Sequence, residues 1–294
     1  MVEHPSALRR LFIGGNYLFL AALAILCVFP LVHVLAVSFS SSTAATAGQV
    51  GLWPVDFTTK SYSFVANEPA FMRSLFVSLQ RVALGVGINM LLGVMLAYPL
   101  AKEAPDFRWR TFYVWIFVFT MLFNGGLIPT YLVVQETGLA GSLLALVIPS
   151  AVNVFNVILM LNFFRGIPKE LLDASYIDGA GHWRTLWSIV VPVSKPVLAT
   201  VALFAIVYHW NEWFYGLIYM KHIDDYPLQS YLQTVIVQKN FSEIAAQDVS
   251  LLGKVSDRTV KAAQIFLGSL PILCVYPFLQ GYFMSGIVMG SVKE

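Results

Sequence analysis

Charged side chains are scarce in this sequence of 294 residues. Only 12% of the residues are Asp, Glu, Lys or Arg, whereas 58% are hydrophobic and the mean hydropathy is +0.72. Because a soluble domain averages about a quarter charged residues, most of this chain has no aqueous surface to cover. We therefore predict an all-α polytopic membrane protein that forms one domain over residues 1–294. The net charge of +2 gives no case for nucleic-acid binding.

Cysteine is nearly absent, and so are the motifs of metal and nucleotide sites. Cys27 and Cys274 lie in apolar runs, and the five histidines are too scattered for a ligand set, so we expect neither a disulfide framework nor a metal site. The phosphate-binding pattern GxxxxGK[ST] does not occur, because Gly253-Lys254 is followed by Val and lacks the earlier glycine. No nucleophile–base motif stands out either. The chain is therefore predicted to bind no cofactor and to be no enzyme.

Long apolar runs dominate what is present. A helix that crosses a bilayer needs about 20 predominantly apolar residues. We predict six such spans, at about residues 11–37, 74–100, 111–135, 143–164, 196–220 and 262–288. The first span follows Arg9 and Arg10 but exceeds the roughly 7–15 residues of a secretory signal core, so we predict that it is retained. Asn124-Gly-Gly and Pro129 predict a bend or break in the third span.

The distribution of Lys and Arg between the loops predicts the orientation, because cytoplasmic loops carry the excess. The side with both termini and residues 165–195 holds ten: Arg9, Arg10, Lys102, Arg108, Arg110, Arg165, Lys169, Arg184, Lys195 and Lys293. The opposite side holds seven over a greater length: Lys60, Arg73, Lys221, Lys239, Lys254, Arg258 and Lys261. We therefore predict cytoplasmic termini and a cytoplasmic loop over residues 165–195.

Residues 168–190, which we call the polar segment, interrupt the apolar pattern with charges and glycines. Pro168 suits the first position of a helix, and Glu170 and Asp173 complement the positive end of that helix. Gly179 and Gly181 are predicted to end it in left-handed caps. A second short helix, His182 to Val190, is predicted to stop at Pro192 and Pro196.

The first of these helices is predicted to expose a small apolar and aromatic knob, made by Leu171, Leu172, Ser175 and Tyr176 at helical spacing. A helix–turn–helix at the membrane surface with such a knob would suit the docking of a partner protein. The alternative from the residues alone is an ordinary interfacial connector without a partner.

The run ELLDASYIDGA, followed by Pro192, resembles the "EAA" loop of permease subunits of binding-protein-dependent ABC importers. Asp173, Ala174 and Ser175 stand at the Glu-Ala-Ala positions. The second half of the motif is matched by Asp178, Gly179 and Ala180. The run HWNEWF and the ending YPFLQGYFMSGIVMGSVKE resemble the oligosaccharide branch of this family, particularly importers of complex and uronic-acid-containing oligosaccharides.

This resemblance implies the type I ABC importer permease fold, with six transmembrane helices, a cytoplasmic coupling helix and a place in the bacterial cytoplasmic membrane. It implies a heterodimer with a second homologous permease, two ABC ATPase subunits that bind ATP and Mg, and an extracytoplasmic solute-binding protein. The substrate it suggests is an acidic oligosaccharide such as an alginate or pectin fragment. The residues it implies for coupling to the ATPase are Glu170, Leu171, Leu172, Asp173, Ala174, Ser175, Tyr176, Asp178, Gly179 and Ala180.

Polar residues within the spans are candidates for the substrate path, because ionisable groups at membrane depth are costly and often functional. The clearest group lies about 22 Å along the fifth span: His209, Trp210, Asn211, Glu212 and Trp213. It predicts either a wall of the sugar path, a contact to the solute-binding protein, or a structural cluster in an interfacial aromatic belt.

Asn124, Asn153 and Asn156 are further candidates for the path, with hydrogen bonding between helices as the alternative. Arg81 either pairs with a carboxylate or extends to the interface. A different function, an ion- or proton-coupled secondary sugar carrier, would use Glu212 or Arg81. Such carriers often show internal repeats, and the sequence has no convincing repeat.

Overall fold

The computed structural model describes residues 7–103, 105–235 and 256–291. All regular secondary structure in these residues is helical, which confirms the all-α prediction. The α-helices are α1 Ala7–Ser38, α2 Ser42–Thr46, α3 Lys60–Asn67, α4 Pro69–Ala101, α5 Arg110–Leu122, α6 Leu127–Glu136, α7 Val154–Arg165, α8 Lys169–Ile177, α9 His182–Thr185, α10 Val191–Val193, α11 Lys195–Asn211, α12 Phe214–Tyr219, α13 Leu228–Gln233 and α14 Asp257–Ser291. Short 3-10 helices occupy Leu143–Leu146, Ile148–Ser150 and Ile223–Asp225, and a π-helix occupies Leu186–Val190. Parts of the predicted 221–261 loop and of the C-terminal tail, with Lys239, Lys254 and Lys293 of the charge count, lie outside the described residues.

Three of the predicted spans coincide with single long helices. α1 contains the predicted span 11–37, and α4 contains the span 74–100. The span 262–288 falls within α14. In the part of the chain that the structure describes, the helices long and apolar enough to cross a membrane alone are Leu8–Ser38, Pro69–Ala101 and Asp257–Pro277.

The third span is broken where the sequence predicts a break. α5 and α6 are bent by 113° across the residues between them. The Asn124 side chain accepts a hydrogen bond from the Gly126 N–H at 2.8 Å. Gly126 has φ +92°, which glycine adopts without the steric cost of a side chain. The break therefore follows from local sequence.

The fourth span differs from the continuous helix predicted for residues 143–164. Residues Leu143–Ser150 form 3-10 turns, and they are bent by 50° from α7, which begins only at Val154. Pro149 lacks the N–H that an α-helix would need there. The Asn153 side chain accepts a hydrogen bond from the Asn156 N–H at 3.1 Å and so caps the start of α7.

The fifth span also differs from its predicted bounds, 196–220. α11 ends at Asn211, Glu212 is extended at φ −72° and ψ 116°, and α12 begins at Phe214. Pro192 does not stop the preceding helix as predicted, because it lies in α10. The chain instead turns at Ser194, where the helical stretch 182–193 is bent by 82° from α11.

The chain divides into two compact units, residues 1–69 with 234–270 and residues 70–233 with 271–294. In the first unit, α1 is exposed from Leu8 to Val32, and its end packs with α2 through small side chains. The buried residues of that packing are Ala36, Val37, Ala44, Ala45, Val50 and Ala262. The prediction of a single domain stays a prediction.

The main core of the second unit lies where α4, α7 and α11 meet the polar segment. Its buried residues are Val94, Ala97, Leu100, Val157, Met160, Leu161, Phe164, Ile167, Leu186, Val190, Val197 and Val201. Because Leu186 and Val190 belong to the polar segment, that segment is seated on this core rather than projecting freely from it.

Candidate functional site

The polar segment folds into two short helices joined by a tight cap. α8 ends in a Schellman arrangement, in which the N–H of Ala180 bonds to the Ser175 carbonyl at 2.9 Å and the N–H of Gly179 bonds to the Tyr176 carbonyl at 3.0 Å. Gly179 has φ +74°, so the predicted left-handed cap is confirmed there. The same prediction is wrong for Gly181, which is extended at φ −75° and ψ 170° and precedes α9.

One face of α8 is turned toward the protein. The Leu172 side chain packs against the core, and Ser175 is buried with its hydroxyl 3.1 Å from the Thr185 hydroxyl. Tyr176 is half-buried against α4. The predicted exposed knob is therefore wrong for Leu172, Ser175 and Tyr176, because the side of α8 that contacts the core is decided by tertiary packing.

The opposite face of α8 is exposed. Its apolar side chains are Leu171, Ala174 and Ile177, which follow one another at three-residue spacing. Ile177 is 85% exposed and Leu171 is 41% exposed. The knob predicted from the sequence did not include Ile177, although its helical spacing from Leu171 and Ala174 places it on the same side of α8. The acidic residues on this exposed surface are Glu170, Asp173 and Asp178.

A cluster of four side chains fastens the polar segment to the end of α4. The Lys102 ammonium donates a hydrogen bond to the Tyr176 hydroxyl at 2.6 Å. It also lies 5.0 Å from the ring centre of Tyr98 and 5.1 Å from that of Tyr176. Nδ1 of His182 is 3.4 Å from the Tyr98 hydroxyl and 3.3 Å from the Tyr176 hydroxyl. Lys102 and its neighbours line two cavities of about 670 and 550 Å³.

A second and more exposed contact joins the start of α8 to the residues after α4. The Lys169 ammonium is 2.6 Å from the Glu103 carboxylate, and both side chains are largely exposed. The hydrogen bond from Lys169, followed by its charge, lowers the pKa of the Glu103 carboxyl. The same interactions raise the pKa of Lys169. Exposed pairs of this kind contribute little to stability.

In the fifth span, the structure pairs Arg81 with Glu212. The Arg81 guanidinium donates to the Glu212 carboxylate at 2.7 Å and to the Glu212 backbone carbonyl at 2.8 Å. The other carboxylate oxygen accepts the Tyr215 N–H at 2.8 Å. The side chains of Arg81 and Glu212 are 0% and 12% exposed. Both groups therefore serve the break between α11 and α12.

His209 is tied to α4 in the same way. The Asn89 amide donates to the carbonyls of Ser150 and Ala151 at 2.8 and 2.7 Å. The Asn89 oxygen, 2.7 Å from Nε2 of His209, must then be the acceptor, so Nε2 carries the hydrogen. Gly85 lies against the same ring. His209 is therefore held in one orientation by the fold.

The remaining candidates for the path are divided between buried and exposed positions. Trp210 and Asn156 are buried, whereas Asn211 and Trp213 are exposed beside Glu212. Asn124 and Asn153 are also exposed, although each uses its side-chain oxygen to accept a local backbone N–H. Four of the residues predicted for the path are therefore accessible on the surface of this chain: Asn124, Asn153, Asn211 and Trp213.

Comparisons with known proteins agree with this architecture. Residues 89–289 match the family described as binding-protein-dependent transport system inner membrane component. The chain is 36% identical to Protein LplC of Bacillus subtilis, over 99% of this chain and 97% of that protein. It is also 36% identical to the polygalacturonan/rhamnogalacturonan transport system permease protein YtcP of Bacillus subtilis, over 97% of this chain and 99% of the relative. A chain from the crystal structure of a bacterial ABC transporter involved in the import of the acidic polysaccharide alginate superposes with a TM-score of 0.89 and 34% identity, over 96% of this chain and 100% of that chain.

Proposed function

Because the chain belongs to the family of inner-membrane components of binding-protein-dependent transport systems, we propose that it is one permease subunit of an ATP-driven importer of acidic oligosaccharides. Members of this family are transport components rather than enzymes. In the proposed complex, this chain and a second homologous permease form the path. Two ABC ATPase subunits bind ATP and Mg, and an extracytoplasmic protein delivers the solute.

The exposed face of α8 carries the proposal that the polar segment couples this chain to an ATPase subunit. Leu171, Ala174 and Ile177 form an apolar strip beside acidic side chains. An apolar centre with a polar rim is the usual anatomy of a protein interface. The Gly179 cap ends α8 and turns the chain toward α9. The polar segment and both termini lie on the cytoplasmic side in this proposal, in keeping with the excess of Lys and Arg there.

The substrate class is supported by the relatives rather than by an anion site in this chain. One relative is named for polygalacturonan and rhamnogalacturonan, and the similar structure is that of an alginate importer. Arg81 adds no support, because it is buried and neutralised by Glu212. Trp213 and Asn211 offer an exposed aromatic face and an amide, which suit the faces and hydroxyls of a sugar. We assign them to the path or to the contact with the solute-binding protein.

The alternative function, an ion-coupled carrier, is weakened because the two residues on which it rested are bound to each other. Glu212 and Arg81 are bonded to each other and to the backbone at the helix break, so both carry a structural role that does not involve a transported ion. The family match also covers residues 89–289, which include that break.

The coupling role is tested by Ile177→Asp, which places a charge on the most exposed large side chain of the apolar strip. Burying an unpaired charge in an interface is costly, so we expect the ATPase subunits to co-purify at a tenth or less of the wild-type yield, about 1.4 kcal/mol or more. Ile223→Asp is the matched control, because Ile223 is also exposed but lies in a 3-10 helix outside the polar segment. Equal co-purification of both variants with the ATPases would contradict the coupling role.

The substrate class is tested by calorimetric titration of the cognate solute-binding protein with trigalacturonate, an alginate trisaccharide and maltotriose. We expect heat of binding with an acidic trisaccharide and none with maltotriose. Binding of maltotriose alone would overturn the acidic class while leaving the coupling role intact.

A further inference from the structure

We propose that Lys102 is a positioning residue that fixes the polar segment to the end of α4, so that a movement of this segment is delivered to α4 as well as to α11. This inference rests on the proposed coupling function. The chain itself already joins the polar segment to α11 through residues 191–194. The segment also packs on α4 through the core, and Lys102 adds a charged contact at the end of that helix.

Lys102 contacts one tyrosine of α4 and one tyrosine of the polar segment. Its ammonium donates to the Tyr176 hydroxyl at 2.6 Å and lies over the rings of both Tyr98 and Tyr176. A hydrogen bond from a charged donor is roughly twice as strong as a neutral one, and the two ring faces add attraction for the cation. Tyr98 belongs to α4 and Tyr176 to α8, so one ammonium holds the two helices together.

His182 extends the same contact to α9. Its ring packs edge-on against both tyrosines, with centres 6.3 Å from Tyr98 and 5.6 Å from Tyr176. Ser175 and Thr185 join α8 to α9 on the buried side. The two helices of the polar segment are thus attached to each other and, through Lys102, to α4.

Further along α4, two buried contacts attach this helix to the end of α11. Asn89 bonds to His209 and Arg81 bonds to Glu212. At about 1.5 Å per residue, Asn89 is roughly 20 Å from Lys102 along the helix and Arg81 is roughly 32 Å away. α4 therefore connects the polar segment to the α11–α12 break, so that a displacement at its Lys102 end can reach that break along one continuous helix.

The ion pair between Glu103 and Lys169 provides a matched control. It also links α8 to the residues after α4, at 2.6 Å, but both side chains are largely exposed. Among the described residues, the cation over the rings of Tyr98 and Tyr176 is that of Lys102 and not that of Lys169. If any link between α8 and the end of α4 were enough for transmission, replacing Lys102 or Lys169 would have the same effect. If transmission requires the ammonium group between the rings of Tyr98 and Tyr176, only the replacement of Lys102 will impair it.

The experiment uses the complete transporter, with its second permease and ATPases, in liposomes. The readout is the ratio of ATP hydrolysis with the solute-binding protein to that without it, because this ratio reports transmission across the membrane and needs no knowledge of the substrate. For Lys102→Gln we expect normal co-purification of the ATPases but a ratio at least about fivefold lower, the lower end of typical coupling effects. Lys102→Arg keeps the cation and should restore most of the ratio. Tyr176→Phe keeps the ring and should lose only part of it.

The control Lys169→Gln is expected to leave the ratio within about twofold of wild type, since exposed pairs are worth little. The inference is overturned if Lys102→Gln keeps the wild-type ratio, if Lys102→Arg fails as completely as Lys102→Gln, or if Lys169→Gln loses as much. If Lys102→Gln does not assemble, Tyr176→Phe decides, and an unchanged ratio in that variant overturns the inference. Loss of ATPase association in Ile177→Asp together with an unchanged Lys102→Gln would refute this inference alone.

Discussion

Replacing Glu212 by alanine is expected to lower the free energy of unfolding by about 3–5 kcal/mol, because it leaves the buried Arg81 cation without its counter-ion. Arg81 is 0% exposed and its guanidinium is 2.7 Å from the Glu212 carboxylate. The substitution also removes the acceptor of the Tyr215 N–H. The backbone carbonyl of residue 212 remains and still accepts from Arg81, so the loss should stay within this range.

The double variant Arg81→Met, Glu212→Leu is expected to be more stable than Glu212→Ala. Apolar residues of similar volume often replace a buried ion pair with little loss. In this protein the carbonyl of residue 212 would lose its donor and the Tyr215 N–H would lose its acceptor, and each loss costs about 1–3 kcal/mol. We therefore expect the double variant to lie at least about 2 kcal/mol below the wild type but above Glu212→Ala, which leaves the same N–H unpaired and a buried charge in addition.

These differences can be measured by equilibrium unfolding of the purified protein in mixed micelles titrated with a denaturing detergent. The matched control is Arg73→Gln, which breaks an ion pair of 2.9 Å with Asp224 whose side chains are 59% and 65% exposed. Exposed pairs contribute about 0–1 kcal/mol. If Glu212→Ala and Arg73→Gln cost the same small amount, the pair is not structural and Glu212 returns as a candidate for the transport path.

Two further predictions concern a glycine contact and a pH dependence. Gly85→Ala would place a methyl group 2.5 Å from Cε1 and 2.6 Å from Cδ2 of His209, so we expect a loss of about 1–3 kcal/mol in the same unfolding assay. Gly87→Ala, with open space around it, should lose nothing and gain up to about 1 kcal/mol from the helix propensity of alanine; equal effects would refute the contact. The lowered pKa of Glu103 means that its pairing with Lys169 persists above the usual carboxyl pKa and is lost as the pH falls through the folded value. A carbon-13 NMR titration should show this low midpoint, and Lys169→Gln should raise it; an unchanged midpoint would contradict the pairing.

Local features of this fold could be predicted from the sequence. The length of apolar runs indicated the membrane-spanning helices. Two glycines with positive φ lie where the sequence predicts a break or a cap: Gly126 precedes α6, and Gly179 ends α8. In both cases the cause lies within a few neighbouring residues. The 3-10 turns before α7 were missed because Pro149 lies within an otherwise apolar run, which predicts a continuous helix.

The side of α8 that faces the core could not be predicted. Leu171 and Ile177 on one side and Leu172 and Tyr176 on the other give this helix two partly apolar faces, and its own sequence does not choose between them. The choice depends on contacts with distant parts of the chain, among them that of Tyr176 with Lys102, 74 residues away. The pairing of Arg81 with Glu212, 131 residues apart, was open for the same reason.

The glycines and polar residues of α4 gain their meaning from their phase along the helix. The buried members lie three or four residues apart, on one face: Ser74, Ser78, Arg81, Gly85, Asn89 and Gly93. Gly87 is out of phase and exposed. Small residues allow close approach of helices in membranes, and polar residues bond across the interface.

Three polar members of this face, Ser78, Arg81 and Asn89, each bond to the backbone at a helix end. Ser78 accepts the N–H of Leu228, the first residue of α13, at 2.7 Å. Arg81 donates to the carbonyl of Glu212, which follows α11. Asn89 donates to the carbonyl of Ser150, the last residue of its 3-10 helix. Unpaired backbone groups cost several kcal/mol in a membrane. Ser78, Arg81 and Asn89 are therefore accounted for by the broken helices that they stabilise, and this structural role is a sufficient reason for a buried arginine in α4.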